Sequence, residues 1–475
     1  MTDQIHPTAA TQNGRWAELL QPRLAPATIM ISLGIAIFAF NAFIVSTTMP
    51  TAVGELNAAA YLSWTFTAYT TASIVTGSAA SLAKLRLGDR MSLVLGSLTF
   101  LIGNSLVVWG NDIIMVILGR LLQGAGEGLV SAICYSLVPR LFPGNLVAKV
   151  FGVEATVWAV AAFGGPALAG WITETWSWRA AYNVNVPVVA IFILLVLRTI
   201  PAHEAVATAT PFPGIRLGLV AGTMGAISLA AVIESPVYQP LLIVAAIAMA
   251  ALAYRMDRRA PFALLPTGAF RVSSLAGMGL AAVVLMPIAQ SVTSLFTVFA
   301  AQHLWGYSTT MAGILGSALA TAWSLTAIGV ASLKSRSRAI SLVVGGSRGL
   351  VLGLALAAAT LFVSSPSGYI AATVFVGMTM GMSWANLCQT IMDASPAGER
   401  DKASSLLPTL QSMGYAAGAA LNGLVANVAG FAGAHSPDDL RMALTITFVF
   451  ATLAALIPAF AVTRMATLSR SAGRL

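Results

Sequence analysis

The chain has 475 residues, of which 57% are hydrophobic and only 9% carry a charge. Soluble domains carry about 25% charged residues, and disordered chains are poor in apolar ones, so both classes are excluded. The apolar residues suffice for about fourteen membrane spans of roughly twenty residues each. The two cysteines, Cys134 and Cys388, lie inside apolar runs, so the sequence offers neither a disulfide framework nor a cysteine-built metal site.

The formal net charge of +9 reflects the placement of the 25 Lys and Arg residues rather than a phosphate-binding surface. Most of them fall in segments that lie on one side of the membrane if the N-terminus starts in the cytoplasm. This positive-inside bias sets the orientation of membrane proteins. We therefore expect a multi-pass protein of a bacterial inner membrane, with both termini in the cytoplasm and no nucleic-acid partner.

Fourteen apolar segments of helical length follow one another along the chain. They lie near residues 28–49, 60–83, 91–110, 113–137, 148–172, 180–198, 214–233, 237–254, 272–299, 309–332, 339–363, 368–390, 403–430 and 440–463. Residues 1–26 form a short cytoplasmic lead, and residues 466–475 form a cytoplasmic tail. Backbone groups in lipid must be satisfied within their own helix, so the sequence predicts an all-α integral membrane protein.

An internal repeat divides the chain into two related halves. One constant offset relates special residues of the fourth and fifth spans to those of the twelfth and thirteenth, namely Gly124, Gly128, Pro143, Lys149, Gly165 and Gly170 to Gly377, Gly381, Pro396, Lys402, Gly418 and Gly423. The repeat predicts two six-helix halves at 27–200 and 262–465, with an inserted helix pair at 212–256 between them. Repeated halves that hold a site at their interface are the architecture of secondary transporters.

Four stretches of the first half carry motifs. They read N-A-F-I-V-S-T-T-M-P at 41–50, W-T-F-T-A-Y at 64–69 with the loop S-L-A-K-L-R-L-G-D-R at 81–90, G-R-L-L-Q-G at 119–124, and G-P-A-L-A-G at 165–170, followed by W-R at 178–179 and N-V-P at 185–187. Together they resemble the major facilitator superfamily, specifically its 14-helix drug:proton antiporter family. The resemblance implies a major facilitator-like fold of two pseudo-symmetric halves that rock about a central site and exchange drug-like compounds for protons, with no cofactor.

Two features depart from that family. The aspartate of its first span is replaced by Asn41, so this proton site is absent. The loop between the second and third spans has lost the family's glycine and aspartate, which fall at Ser81 and Leu85. In the family this loop locks the outward-facing state through a charge relay. The members that remain here are Lys84, Arg86, Gly88, Asp89 and Arg90, with Asp89 as a substitute for the missing carboxylate.

Charged side chains within the spans are the first candidates for function, because a charge in the bilayer is costly unless it is paired or wetted. Arg120, Gln123, Glu127 and Ser131 recur at the spacing of one helix face in the fourth span. Burial disfavours the charged form of a carboxyl group, so we expect Glu127 to carry the coupling proton, assisted by Arg120. A static charge network that fixes helix packing is the alternative.

The distance between these two residues requires other partners. Seven residues correspond to about 10 Å of helical rise, which is too far for a direct hydrogen bond between Arg120 and Glu127. Asn41 and Thr48 in the first span are the candidate partners.

The fifth span contains a second carboxylate and the antiporter motif. Glu154 shares a helix face with Trp158 and Gly165, and it either relays protons on the cytoplasmic side or is a snorkelling or gate carboxylate. Small residues let helices approach closely, and a proline permits a kink, so Gly165, Pro166 and Gly170 have a mechanical interpretation. The resemblance implies that this helix seals the central cavity against ion leak.

The predicted substrate cavity is lined by polar, aromatic and soft side chains from both halves. Its members are Asn41, Thr48, Gln123, Ser131 and Trp158 in the first half, and Gln290, Trp323, Met382, Trp384, Asn386, Gln411 and Tyr415 in the second. Methionine and aromatic surfaces adapt to varied apolar ligands. For any one of these residues a role in helix–helix packing is the simpler explanation. Only the polar stripes taken together favour a cavity.

These features predict a proton-coupled secondary transporter that exports drug-like or amphipathic small molecules by alternating access, as a monomer. A proton-coupled importer of a small solute or organic anion would use the same residues, with Arg120 binding the anion. A third alternative is a membrane sensor or assembly protein that transports nothing. The sequence contains no phosphate-binding loop, nucleophile–base pair or histidine cluster, so neither an enzyme nor a metal site is expected.

Overall fold

A computed structural model describes residues 16–202, 213–233, 235–260, 265, 268–330, 336–395 and 400–471 of the chain. All regular structure in these ranges is helical, which confirms the predicted all-α class. Residues 1–15 of the predicted lead and 472–475 of the predicted tail lie outside the described residues. Most of the remaining lead and tail is helical, since Trp16–Leu20 forms a 3-10 helix and the last α-helix continues to Ser471.

Fourteen α-helices are formed by the described residues. Those of the first half are α1 (Ala25–Glu55), α2 (Leu62–Trp109), α3 (Ile113–Leu141), α4 (Gly144–Thr175), α5 (Trp178–Asn183) and α6 (Asn185–Thr199). The inserted pair is α7 (Gly214–Ala230) and α8 (Tyr238–Arg259). Those of the second half are α9 (Leu275–His303), α10 (Thr309–Val330), α11 (Arg336–Phe362), α12 (Pro366–Ala394), α13 (Arg400–Val428) and α14 (Pro437–Ser471). Eleven helical stretches of the described chain are long and apolar enough to cross a membrane.

Two of the predicted spans share one helix. α2 covers the second and third predicted spans, and it bends at Gly88, whose φ of 75° and ψ of 166° are not helical. Glycine adopts a positive φ without the steric cost that a Cβ atom imposes. Conversely, α5 and α6 together form the sixth predicted span, with a break at Val184. The predicted spans therefore each coincide with helical structure in the predicted order, and eleven of the described helical stretches have the length and hydropathy of a span.

The helix ends gather at two faces of the bundle, because the chain reverses direction at each connection. We name the face that carries Lys84 and Arg140 the basic face, and the face that carries Glu55 and Arg179 the opposite face. At the opposite face, Glu55 accepts hydrogen bonds from Trp178 Nε1 (2.8 Å) and Arg179 Nη1 (2.6 Å). These bonds tie the end of α1 to the start of α5.

The two halves meet along two seams, where α2 packs against α13 and α4 packs against α10. Among the described residues, every hydrogen bond between the halves lies toward the opposite face, joining Thr51 to Gln302 and Thr309, Glu174 to Thr310, and Asn427 to Ala60. In this conformation the halves are therefore held together at the opposite face.

The inserted pair lies against the α2–α13 seam. α7 packs on both α2 and α13, whereas α8 packs on α7 and is largely exposed. Trp64 Nε1 of α2 donates a hydrogen bond to Ser228 O of α7 at 2.7 Å. Asn427 of α13 donates to Ala231 O (2.7 Å) and also to Ala60 O (2.8 Å), so one amide group joins both halves and the inserted pair.

Candidate functional site

Glu127 is buried in the interior of the first half, on α3. Only 2% of the residue is exposed. Its Oε2 accepts hydrogen bonds from the Tyr69 hydroxyl (2.8 Å) and from Ser73 Oγ (3.2 Å), both on α2, while Oε1 has no partner among the described residues. Glu127 also borders a cavity of about 10 Å³ among α1, α2, α3 and α6, close to the smallest volume that holds a water molecule.

The two protonation states of Glu127 are stabilised by different surroundings. The hydroxyl groups of Tyr69 and Ser73 stabilise the ionised form, because they donate hydrogen bonds to a carboxylate oxygen. Burial stabilises the protonated form, because a charge is poorly solvated in a medium of low dielectric constant. The site therefore accommodates both forms, as reversible proton binding requires.

Arg120 is buried on the same helix, nearer the opposite face. Its Nε donates a hydrogen bond to Thr65 O (3.1 Å), and its Nη1 donates to Gln123 Oε1 (2.7 Å). The guanidinium carbon lies 4.0 Å from the centre of the Tyr69 ring. An aromatic face attracts a cation through its quadrupole. Tyr69 thus contacts the cation with its ring and Glu127 with its hydroxyl.

Gln123 extends the site into a chain of amide side chains. Its Nε2 donates to Asn104 Oδ1 (3.0 Å), which also accepts a hydrogen bond from Asn185 Nδ2 (3.2 Å). The Nδ2 of Asn104 in turn donates to Tyr182 O (3.2 Å). These bonds join α2, α3, α5 and α6 within the first half, which is the geometry expected of a network that fixes helix packing.

The prediction that Asn41 and Thr48 of α1 are the partners of Arg120 and Glu127 is wrong. Asn41 and Thr48 are both fully buried, but among the described contacts neither hydrogen-bonds to the two charged residues. Thr48 instead donates to the Tyr182 hydroxyl at 3.4 Å. The reason is the orientation of α3, whose polar face contacts α2 rather than α1.

The predicted cavity residues separate into two groups by burial. Asn41, Thr48, Gln123 and Gln290 are at most 1% exposed. The hydrogen bonds of Thr48, Gln123 and Gln290 stay within one half, and Gln290 Nε2 donates to Thr293 and Ser294 of its own helix. Polar side chains of this group therefore face the bundle interiors in this conformation.

The second group retains exposed area. Most of its members are half-buried, namely Ser131, Trp158, Trp323, Met382, Trp384, Gln411 and Tyr415, while Asn386 is 9% exposed and donates to Met382 O. The indole of Trp158 meets Phe38 of α1 edge-on with ring centres 5.0 Å apart, and the rings of Trp323 and Trp384 are 6.2 Å apart. The structure thus brings these aromatic groups into pairs, one pair in each half.

Glu154 is the second buried carboxyl group of the described first half. It lies on α4, nearer the basic face than Glu127, and is 3% exposed. Its Oε1 has no hydrogen-bond partner among the described residues. Glu154 thus lies between Glu127 and the basic face along the membrane normal.

An ion-pair triad forms where α2 bends. Asp89 accepts a hydrogen bond from Arg140 Nη1 at 2.5 Å and lies 3.3 Å from Lys84 Nζ. Lys84 Nζ also donates to Ser136 Oγ at 2.7 Å. Asp89 thus pairs with two cations, as expected of a substitute carboxylate. The other members of the predicted motif are Gly88, at the bend itself, and Arg86 and Arg90, which lie outside the triad.

The glycines of the antiporter motif lie at two helix crossings. A Cβ atom added to Gly165 would lie 3.0 Å from Phe43 Cβ on α1. A Cβ atom added to Gly170 would collide with the backbone of Thr310 on α10. Gly165 therefore permits a close contact within the first half, Gly170 permits one between the halves, and Pro166 lies inside α4 between them.

Sequence reasoning missed the side chains that complete the site on neighbouring helices. Tyr69 and Ser73 are one turn apart on α2, and both contact Glu127. Hydroxyl groups four residues apart on an apolar helix share one face, so this spacing was an available signal. Asn104 and Asn185 also belong to the site, but single amides on apolar helices carry no comparable pattern.

Comparisons with known proteins agree with this architecture. A family model described as Major Facilitator Superfamily matches residues 31–363. A Mycobacterium tuberculosis protein named "Probable multidrug-efflux transporter" is 30% identical over 452 residues, which cover 92% of this chain and 95% of the relative. An Escherichia coli protein named "Uncharacterized transporter" is 25% identical and covers 93% of this chain and 96% of its own length.

Solved structures show the same fold at lower identity. The crystal structure of a D-xylose-proton symporter superposes with a TM-score of 0.64 at 15% identity, over 92% of this chain and 97% of that one. At this identity the likeness concerns the arrangement of the helices alone.

Proposed function

The chain belongs to the Major Facilitator Superfamily and is a multi-pass membrane transporter, and we propose that it exports drug-like or amphipathic small molecules in exchange for protons. The name of the 30% identical relative supports efflux of varied compounds. The observation that supports the proton step is the buried carboxyl group of Glu127, which has one hydrogen-bonded oxygen and one oxygen without a partner among the described residues.

The proton binds at Glu127 in this proposal. Proton binding neutralises the carboxylate of Glu127, so the electrostatic attraction between this group and the Arg120 guanidinium weakens. Because Tyr69 contacts both groups, a change in the charge of Glu127 is transmitted through its hydroxyl and ring to Arg120. Glu154 relays the proton between Glu127 and the basic face.

Alternating access requires that the bonds between the halves at the opposite face break and form again. The described hydrogen bonds between the halves are few. Three of them join uncharged groups, namely Thr51 with Gln302, Thr51 with Thr309, and Asn427 with Ala60. One proton that crosses about 100 mV supplies roughly 2.3 kcal/mol, and a neutral hydrogen bond contributes about 1 kcal/mol net. The driving force is thus of the size needed to shift the balance between conformations.

The distribution of Lys and Arg supports a cytoplasmic position for the basic face and both termini, in a bacterial inner membrane. The opposite face would then be closed toward the outside in this conformation. A substrate would enter from the cytoplasm, as export requires, and contact the half-buried aromatic residues of both halves. We propose that a monomer carries out the cycle, since each monomer contains both halves.

The test is substrate flux in proteoliposomes under an imposed pH gradient, with a panel of amphipathic compounds. We expect Glu127→Gln to abolish flux driven by the gradient, because an amide cannot exchange a proton at this pH. Asp112→Asn is the matched control on the same helix. Asp112 caps α3 by accepting a hydrogen bond from Met115 N, and asparagine caps a helix equally well, so flux should be unchanged.

The direction of coupling separates export from import. Export by exchange predicts that an outward flow of compound accompanies an inward flow of protons, and that reversing the gradient reverses both. Proton-coupled flux that persists in Glu127→Gln would show that this residue does not carry the proton. Compound and proton moving in the same direction would instead show an importer.

A further inference from the structure

Arg348 lies on the outer surface of the second half. It belongs to α11, which packs against α12 and α14 of the same half and touches α9 of that half. The side chain is exposed, and it forms no hydrogen bond or ion pair with the described residues. An arginine that faces lipid without a partner is costly, so its charge needs a counterpart from outside the chain.

The depth of Arg348 follows from its neighbours. Next to it, Gly349 packs against α12, where an added Cβ atom would lie 2.5 Å from Thr379 Cγ2. Thr379 is at the middle of α12, which runs from Pro366 to Ala394. Arg348 is therefore near mid-depth in the membrane, where dissolved anions are scarce.

The exposed face of α11 is polar on one side of this residue and apolar on the other. Toward the basic face it presents Arg338, Ser341 and Gly345, and toward the opposite face it presents Leu352 and Leu356. These residues are three or four positions apart, so they form one stripe along the helix. A Cβ atom added to Gly345 would have only Met382 Cε nearby, at 3.8 Å, so the surface between the two arginines is open.

The two arginines can act on one ligand because of the direction of the helix. The Cα–Cβ bonds of an α-helix tilt toward its N-terminus, and the N-terminus of α11 is at the basic face. The rise between Arg338 and Arg348 is about 15 Å, and a long side chain that tilts toward the N-terminus covers part of that distance. The guanidinium group of Arg348 is thus within reach of the leaflet that holds Arg338.

We propose that this stripe is a binding site for an anionic phospholipid of the leaflet at the basic face, with Arg348 holding the phosphate and Arg338 adding a second positive charge. Guanidinium groups bind phosphate oxygens in pairs, which gives the contact strength and direction. The acyl chains would then lie over Leu352 and Leu356. The open surface at Gly345 leaves room for the headgroup between the arginines.

Native mass spectrometry of the purified full chain can test the site, with equal amounts of phosphatidylglycerol and phosphatidylcholine as probes. We expect the wild type to retain phosphatidylglycerol preferentially. Arg348→Gln should lower that preference by about fivefold, the effect of one basic residue near an anionic membrane surface. Arg338→Gln should lower it as well, and Arg348→Lys should retain part of it.

Arg255→Gln is the control, because Arg255 is an exposed arginine near the basic end of α8. It should leave the lipid preference unchanged. Equal preference in the wild type and in Arg348→Gln would overturn the proposal, as would an equal loss in Arg255→Gln. Displacement of the lipid by excess inorganic phosphate would show an ordinary anion site instead of a lipid site. If Arg348→Gln does not fold, Arg348→Lys and Arg338→Gln decide between these outcomes.

Discussion

The hydroxyl of Tyr69 donates a hydrogen bond of 2.8 Å to Glu127 Oε2, while the face of the same ring lies 4.0 Å from the guanidinium carbon of Arg120. The Tyr69 side chain therefore contacts the carboxyl group of Glu127 with its hydroxyl and the guanidinium cation of Arg120 with its ring. The hydroxyl and the ring can be separated by mutation, because phenylalanine keeps the ring and removes the hydroxyl.

Tyr69→Phe should move the pH dependence of flux. Removing a donor to the carboxylate disfavours its ionised form, so protonation would take place at higher pH. A hydrogen bond to a charged group contributes about 1.5–3 kcal/mol, which corresponds to a shift of about one to two pH units. The measurement is the pH at which proton-driven flux is half-maximal.

Tyr182→Phe is the control for this shift, since Tyr182 is an equally buried tyrosine whose hydroxyl contacts Thr48 and not Glu127. It should leave the pH midpoint in place. A midpoint that is the same in Tyr69→Phe and the wild type would contradict the proposed role of the hydroxyl, even if the maximal rate fell.

Gly124→Ala should destabilise the protein. An added Cβ atom would collide with the backbone carbonyl of Tyr69, so α2 and α3 would have to separate. Overpacking of this kind costs about 1–3 kcal/mol. The change is measured as a lower thermal midpoint in detergent, and the comparison is Gly164→Ala. Gly164 has open space around its Cβ position, so its substitution should not lower the midpoint.

The Asp89–Arg140 pair should show coupling in a double-mutant cycle. Asp89→Asn and Arg140→Gln each remove the 2.5 Å contact, so the double variant should cost less than the sum of the two single variants. For a pair that is partly exposed we expect a coupling of about 0.5–1 kcal/mol in unfolding free energy. Asp89→Asn with Arg86→Gln should be additive, and non-additivity there would refute the assignment of the pair.

Glu174→Gln should favour separation of the halves at the opposite face. Glu174 Oε1 accepts a hydrogen bond from Thr310 N at 2.6 Å, at the start of α10, where a negative charge is favourable. Losing that charge in an exposed site should raise the population of the conformation in which the halves are apart at the opposite face by about two- to fivefold. Spin labels at Thr175 and His435, one in each half, would report the distance between the halves.

Glu55→Gln is the matched control for this experiment. Glu55 is also an acid at the opposite face, but its partners Trp178 and Arg179 belong to the same half. The label distance should therefore stay as in the wild type. An equal change in both variants would point to a general effect of charge rather than to the contact between the halves.

The sequence predicted the fold because hydrophobic length and glycine position are local properties. The spans follow from apolar runs, and the bend at Gly88 lies at a loop motif that could be read directly. The face shared by Arg120, Gln123 and Glu127 also follows from spacing alone, and all three are buried on one side of α3.

The helix that supplies the partners of that face could not be predicted, because this depends on which neighbour α3 contacts. The polar groups of α1 and α2 were equally plausible from spacing, and the tertiary packing selects Tyr69 and Ser73 on α2. The same uncertainty affects the predicted cavity. A polar stripe such as the one that contains Gln123 forms its hydrogen bonds as well inside one bundle as at an interface.

The contacts of Asn427 with Ala60 and Ala231 have a mechanical consequence. When residues 60 and 427 move apart, the amide cannot keep both bonds, so α7 must stay with one moving body and slide past the other. Trp64 holds α7 to α2 through Ser228, and Met224 adds a contact with Thr71. Among the described residues, the inserted pair has two side-chain hydrogen bonds with α2 and one with α13, so we expect it to move with the first half when the seam opens.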